Sequence, residues 1–135
     1  RLPSALYASP HYLARYGTPS TMDALTEHRC LSYPSKVWRF TDGSGDGPAI
    51  EVNPVISTGS NEMLKAATVS GLGIVYSFET VFRTLLAQGE VVQILPEITE
   101  NSGLELQMIF PAAQHPSLRA RRFIDGLRAE FAKAQ

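Results

Sequence analysis

The order of residues predicts an α/β fold, a mixed, mainly parallel sheet flanked by helices, and three observations carry that reading. Between Val55 and Leu95 short apolar runs alternate with helical stretches, strand–helix–strand–helix–strand, which is the pattern of parallel strands joined by right-handed crossovers. The runs themselves, Val55-Ile56-Ser57-Thr58, Ile74-Val75-Tyr76 and Val91-Val92-Gln93-Ile94-Leu95, are short and rich in β-branched residues. The helical stretches between them start on small polar residues and stop at glycine, as helix caps require.

From the beginning, Leu6-Tyr7-Ala8-Ser9 reads as a short strand, and Ser9 caps a helix from Pro10 to about Tyr16 that stops at Gly17. Asp23-Ala24-Leu25 suggests a single helical turn. Cys30-Leu31-Ser32-Tyr33 is strand-like and ends at Pro34. Val37 to Thr41 and Ala49 to Val52 read as a hairpin around the connector Asp42–Gly47, with Trp38 and Phe40 in one register directed to a core. Gly59-Ser60-Asn61 offers N-cap chemistry to a helix expected to carry Met63, Leu64 and Ala67 on one face. Gly71-Leu72-Gly73 ends that helix with a tight turn. Ser77 is expected to cap the next helix, whose apolar stripe is Phe78, Val81, Phe82, Leu85 and Leu86, with Gly89 as its stop. A connector from Glu97 to Ser102 leads to a strand from Leu104 to Phe110. A last helix, opened by Pro116-Ser117, aligns Leu118, Phe123, Ile124, Leu127 and Phe131.

Composition narrows the function classes. The 135 residues suit one domain or slightly more, and 44% hydrophobic with 19% charged residues is the balance of an ordinary globular protein. A net charge of -1, with acids and bases mixed along the chain, lacks the basic face of a nucleic-acid binder. One cysteine, Cys30, rules out an internal disulfide framework and suits a reducing compartment. No apolar run approaches a membrane span, and Arg1-Leu2-Pro3-Ser4 is not followed by the apolar segment of a signal peptide. A cytoplasmic protein with no membrane partner is expected.

The candidate binding residues are Thr58, Gly59, Ser60 and Asn61 at one strand-to-helix junction, and Tyr76, Ser77 and Phe78 at the next. Both junctions fall at the carboxyl ends of parallel strands, where open α/β sheets bind ligands. Free N–H groups and the helix dipole there favour an anion, hydroxyls and an amide add hydrogen bonds, and the aromatics add walls. The simpler reading makes these residues plain helix caps, which every helix needs. Other chemistry is poorly supported. Asp42–Gly47 has acids at the first and fifth positions of a calcium loop, but Asn53 stands where the bidentate glutamate belongs. Gly71-Leu72-Gly73 precedes a strand, the reverse of a dinucleotide-binding turn. His11, His28 and His115 have no metal-ligand spacing. A Cys30/His28 nucleophile is conceivable, yet Cys30 opens an apolar strand and reads as a small core residue. Arg119, Arg121, Arg122 and Arg128 read as a solvated helix face. No catalytic residue, no metal and no cofactor is expected, and the chain is read as no enzyme.

An ordered series of segments resembles a known family. Ala8-Ser9-Pro10-His11-Tyr12-Leu13, Gly17-Thr18-Pro19 and Leu25 through Cys30-Leu31 look like the opening of the second lobe of the effector-binding domain of a LysR-type transcriptional regulator. Trp38-Arg39-Phe40, Asn61, Ala66 through Ile74, Gly89 through Pro96 and Phe110-Pro111 to Leu127 continue the match over nearly the whole chain. One departure is Tyr76-Ser77-Phe78, where the family often has a small apolar residue before a proline. The resemblance implies a periplasmic-binding-protein-like (type II) lobe over residues 1–95. It also implies a return of residues 96–135, as connector, strand and helix, to a first lobe mostly absent from the chain. A small, anionic effector in the cleft between lobes would modulate transcription. DNA would be held only through an N-terminal winged helix-turn-helix absent from this chain, and the parent would be a homo-oligomer, dimer or tetramer. The alternative is a stand-alone solute-binding protein of the same fold with no DNA role.

The charge balance yields a first expected outcome. The 135-residue chain alone should bind duplex DNA no better than a neutral control protein in a mobility-shift titration. Tight, salt-sensitive binding would contradict the reading.

Overall fold

The computed structural model describes residues 2–40, 47–100 and 102–104. Eight strands are seen among them: β1 (Leu2–Ala8), β2 (Cys30–Ser32), β3 (Val37–Arg39), β4 (Ala49–Glu51), β5 (Pro54–Ser57), β6 (Ile74–Phe78), β7 (Val92–Ile94) and β8 (Gly103–Leu104). The α-helices are α1 (Pro10–Tyr16), α2 (Asn61–Val69), α3 (Glu79–Ala87) and α4 (Pro96–Thr99), and a 3-10 turn spans Asp23–Glu27. The main sheet runs β5-β2-β6-β1-β7, with β8 beside the start of β1, and β3-β4 form a separate antiparallel pair. β2 is parallel to both β5 and β6, whereas β1 is antiparallel to β6 and β7. Four strands of that path therefore run one way and β1 alone runs against them, a mixed sheet of predominantly common direction.

Ala5–Ala8, which the sequence places in one parallel core with Val55–Thr58 and Ile74–Tyr76, belongs instead to the reversed strand β1, and β2 lies between β5 and β6. Sequence order could not show this, because each crossover helix carries the chain past one position to be filled by an earlier strand.

The local signals hold where they rest on backbone chemistry. The Ser9 hydroxyl accepts from the Tyr12 N–H at 3.0 Å, Pro10 occupies the first turn of α1, and Gly17 follows with φ +86°. α2 ends in a Schellman arrangement: Gly71 takes φ +82°, its N–H reaches the Thr68 carbonyl, and the Leu72 N–H reaches Ala67. The 3-10 turn and the β3-β4 hairpin appear as expected.

Where the expectations rest on side-chain register, tertiary packing changes them. Met63 is 52% exposed, while Leu64, Ala67 and Thr68 are buried. At 100° per residue the i, i+3, i+4 set defines the buried stripe of α2, and Met63 falls to one side of it. Ser77 and Phe78 are not the cap and first stripe residue of α3. Both continue β6, because Ser4 pairs with Phe78 and Ala5 with Ser77 across the ladder to β1. Phe78 occupies the N-cap position with no side-chain bond, and Leu86 is exposed. The stretch after Leu95 is not all connector: α4 starts at Pro96, after Leu95 at φ +47°. That left-handed backbone before a proline is strained for a branched residue, and the burial of the Leu95 side chain holds it. Asp42–Asp46, all but the beginning of the strand from Leu104, and the last helix with its arginines lie outside the described residues.

The core has two sides. Tyr7 pairs with Val75 and stacks on Phe82 of α3, ring centres 4.9 Å apart, so that face of the sheet takes the helices. Burial pushes the Tyr7 phenol up to about 12, with the nearby Glu79 adding to it. Leu6 pairs with Tyr76 on the opposite face, where Tyr76 meets Trp38 and Phe40 of the hairpin at 5.8 and 4.9 Å. Trp38 is thus a core residue, and its indole N–H donates to the Ser32 hydroxyl at 3.2 Å. At the amino end of the parallel strands, the Tyr12 hydroxyl accepts from the Arg29 N–H and lies 2.6 Å from His28 Nδ1.

Two outcomes follow from this packing. A Cβ on Gly73 would stand 2.7 Å from the Arg29 carbonyl oxygen, which accepts from the Ile74 N–H where β6 begins beside β2. Gly73→Ala should therefore cost about 1–3 kcal/mol in a urea titration through this steric clash, whereas Gly89→Ala, with open space but φ +76°, should cost about 1–2 kcal/mol through backbone strain alone. His28 has its pKa lowered by burial, with Glu27 opposing. The unfolded chain then takes up the proton first, so His28's contribution is intact above the ordinary value of 6.5 and is lost as pH falls through the lower folded value. An NMR titration of the folded chain should accordingly place the His28 midpoint below the ordinary 6.5, and a midpoint above it would contradict the burial reading.

Candidate functional site

Three parallel strands end at one edge of the sheet. β5 leads into Thr58 and Gly59, β6 ends on Ser77 and Phe78, and β2, between them, leads into Tyr33. The Thr58 N–H donates to the Ser32 carbonyl at 2.9 Å, which ties the end of β5 to the end of β2. Tyr33 was missed by sequence reasoning. Its signal, an aromatic residue ending a short strand before Pro34, gains meaning only once β2 is known to lie between the two junctions.

The hydroxyls of the first junction act locally. Thr58 Oγ1 accepts from the Ser60 N–H at 3.1 Å, and Ser60 Oγ accepts from the Met63 N–H at 3.1 Å as the N-cap of α2. Gly59 sits between them, partly buried. These are the cap roles of the simpler reading, and each hydroxyl keeps a proton to donate. Glu62 in the same first turn pairs with Lys65 at 3.0 Å, an exposed contact of little energetic weight.

The second junction is built differently. Ser77 is fully buried, and its hydroxyl lies 2.7 Å from the Tyr33 hydroxyl. Tyr33 in turn donates to Asn61 Oδ1 at 2.5 Å. A phenol has one proton, so the proton given to Asn61 leaves Tyr33 accepting from Ser77. The result is a directed chain from Ser77 through Tyr33 to Asn61. Burial drives the Tyr33 phenol well above its ordinary value, partly countered by the bond from Ser77, so it stays protonated and able to donate. Its ring tilts against Phe78 with centres 5.6 Å apart. Asn61 is only partly buried, and its Nδ2 carries two further donors that no described residue engages.

The structure therefore brings Asn61, Ser77 and Phe78 together through Tyr33, with Thr58, Gly59 and Ser60 adjoining. It sets Tyr76 apart. That ring lies on the hairpin face, and its hydroxyl donates to the Arg39 carbonyl at 3.0 Å. At the second position of α3, Thr80 Oγ1 is buried with no hydrogen-bond partner among the described residues.

Nucleophile and metal chemistry fare poorly. Cys30 is buried, its sulfur rests on the Leu25 and His28 carbonyls, and burial pushes its thiol up to about 12, far from a reactive thiolate. The His28 imidazole is engaged with Tyr12 instead. Among the described residues no group of three or more His, Cys, Asp or Glu could hold a metal ion.

Comparison with known proteins agrees with this architecture. Residues 1–132 match the family model described as LysR substrate binding domain. The HTH-type transcriptional regulator CrgA of Neisseria meningitidis serogroup B is 29% identical over 128 residues, 92% of this chain and 42% of that protein. The HTH-type transcriptional activator TtdR of Escherichia coli K12 is 27% identical over 104 residues, 73% of this chain and 33% of that protein. The chain thus spans well under half the length of these relatives. Among solved structures, the CrgA regulatory domain superposes with a TM-score of 0.62 at 26% identity, covering 96% of this chain and 65% of that one. The regulatory domain of AphB from Vibrio vulnificus gives 0.61 at 24% identity over 69% of this chain and 47% of that one, a likeness of fold. With its reversed β1 inside a sheet of otherwise common direction and helices over one face, the chain belongs to the LysR substrate-binding domain family, the effector-binding domain of LysR-type transcriptional regulators on a periplasmic-binding-protein-like fold.

Proposed function

We propose that this chain senses a small anionic effector at the edge formed by Thr58–Asn61, Tyr33 and Ser77–Phe78, in a cleft facing a first lobe. One observation carries the reading. β1 passes the end of β6 at Ser4, so its first residues, Leu2 and Pro3, extend beyond the carboxyl edge, and there they pair with β8. The chain thus enters and leaves past the edge where the candidate residues gather. The Ser4 N–H donates to the Ser102 carbonyl at 3.3 Å, and the Ser102 hydroxyl is shared between the Thr99 carbonyl at 3.1 Å and the Ser4 carbonyl at 3.3 Å, which ties the two crossing segments together. This supports residues 1–95 as a second lobe and 96–135 as the return to the first.

The anion preference rests on donors. The start of α2 presents N–H groups and positive dipole character, Asn61 adds its amide, and Thr58 and Ser60 each keep a hydroxyl proton. Glu62 and Glu79 oppose an anion, but both lie in helical first turns, where the dipole already favours them and Lys65 offsets one. In this reading the domain is a non-catalytic sensor within a cytoplasmic, oligomeric regulator that holds DNA through a separate helix-turn-helix. Effector binding between lobes would change how the oligomer holds DNA.

The test uses a two-lobed regulator containing this chain, titrated calorimetrically with a panel of small mono- and dicarboxylates. Asn61→Ala should weaken the best of them about tenfold, while the thermal midpoint of the empty protein moves by no more than a few degrees. An unchanged Kd would leave Asn61 as no more than the first residue of a helix.

A further inference from the structure

Among the described residues Tyr33 is the one side chain at the carboxyl edge that bonds to both junctions, and it donates to Asn61 Oδ1. Its hydroxyl is buried between Ser77, from the end of β6, and Asn61, from the start of α2. An asparagine amide can turn over, presenting either its oxygen or its NH2 outward, and the two faces ask for opposite ligand groups. In one arrangement Ser77 donates to Tyr33 and Tyr33 donates to Asn61 Oδ1, which commits the oxygen inward and leaves both Nδ2 protons for a ligand. In the other, Asn61 Nδ2 donates to Tyr33 and Tyr33 to Ser77, and the outward group becomes an acceptor. The geometry here is the first.

We propose that Tyr33 is the specificity-determining residue of this site: by taking Asn61 Oδ1 it presents the Asn61 NH2 outward, so the site selects an oxygen acceptor, best a carboxylate. The inference rests on the binding reading above and deepens it. Tyr33 does this as a positioning residue, acting through Asn61. Its own hydroxyl is fully used by its two protein partners, and its ring is fixed against Phe78. The Ser77 hydroxyl matters for the same reason. Buried in the strand, it can donate to the Tyr33 oxygen and so leaves the Tyr33 proton for Asn61 Oδ1.

The test uses a two-lobed regulator containing this chain, isotopically labelled, with acetate and acetamide as probes of equal size. Acetate has only acceptors, whereas acetamide carries both kinds of group and can meet an amide of either orientation. In the native chain the nuclear Overhauser contact between the Asn61 Nδ2 protons and the Tyr33 ring should be weak, because the oxygen faces the phenol, and acetate should shift the Nδ2 signals at lower concentration than acetamide. Tyr33→Phe keeps the ring but frees the amide, and should cut the preference for acetate over acetamide about tenfold. If that variant fails to fold, Asn61→Asp decides the matter. It still accepts from Tyr33 but turns an acceptor outward, so acetate binding should vanish while the fold is retained. A strong Nδ2-to-Tyr33 contact in the native chain, an unchanged preference in Tyr33→Phe, or acetate binding retained in Asn61→Asp would each overturn the assignment. Should acetate fail to bind the native chain, the anion reading falls, and the Overhauser contact still decides what Tyr33 does to Asn61.

Discussion

All five residues of β6 are buried, and the rest of the domain is arranged around that fact. A strand removed from water must have its backbone bonded on both sides, and β6 has β2 along one edge and β1 along the other. Its side chains must also be covered on both faces. Val75 lies on the face that takes α2 and α3, and Tyr76 lies on the face roofed by the aromatic hairpin. With about 25 cal/mol stabilising each Å² of apolar surface withdrawn from water, a strand covered on both sides is where the folding free energy concentrates. The close approach of Gly73 to Arg29 belongs to the same demand, since β6 can start beside β2 only where no side chain intervenes.

One consequence of burying β6 is chemical. Ser77 carries a hydroxyl into the interior near the end of that strand, and a buried hydroxyl without a partner is destabilising by about 1–3 kcal/mol. Tyr33 meets it, and Asn61 meets Tyr33. The polar chain that organises the site is thus also the means by which the sheet tolerates a serine inside it. For these residues the structural role and the proposed binding role are compatible. At Thr58 and Ser60 they divide by lone pair and proton: the oxygens shape the turn and cap the helix, and the protons remain for something else.

Position in the fold explains why the same edge recurs as the place for a ligand. Parallel strands deliver their carboxyl ends together, and the helices that follow them begin there with unbonded N–H groups. Here the reversed β1 adds a second feature, because it approaches from beyond that edge and β8 pairs with it there. In the proposed reading that crossing would be a hinge at the mouth of the site, where occupancy and inter-lobe geometry could bias one another.

Much of this was legible in the residues. The caps at Ser9 and Ser60, the glycine stops, the hairpin around Trp38 and Phe40 and the alternation of strands with helices are all local, governed by backbone chemistry within a few positions, and they predicted the class of fold. Tertiary structure alone decided the rest. Ser77 and Phe78 joined β6 because β1 offered them a ladder, and a cap-like sequence cannot outweigh a strand partner it does not know about. Tyr33 and Asn61 are 28 positions apart, and their meeting depends on β2 being placed between β5 and β6. Strand order is set by which faces must be covered and which ladders completed, a property of the whole sheet, and it is written in no single segment of the chain.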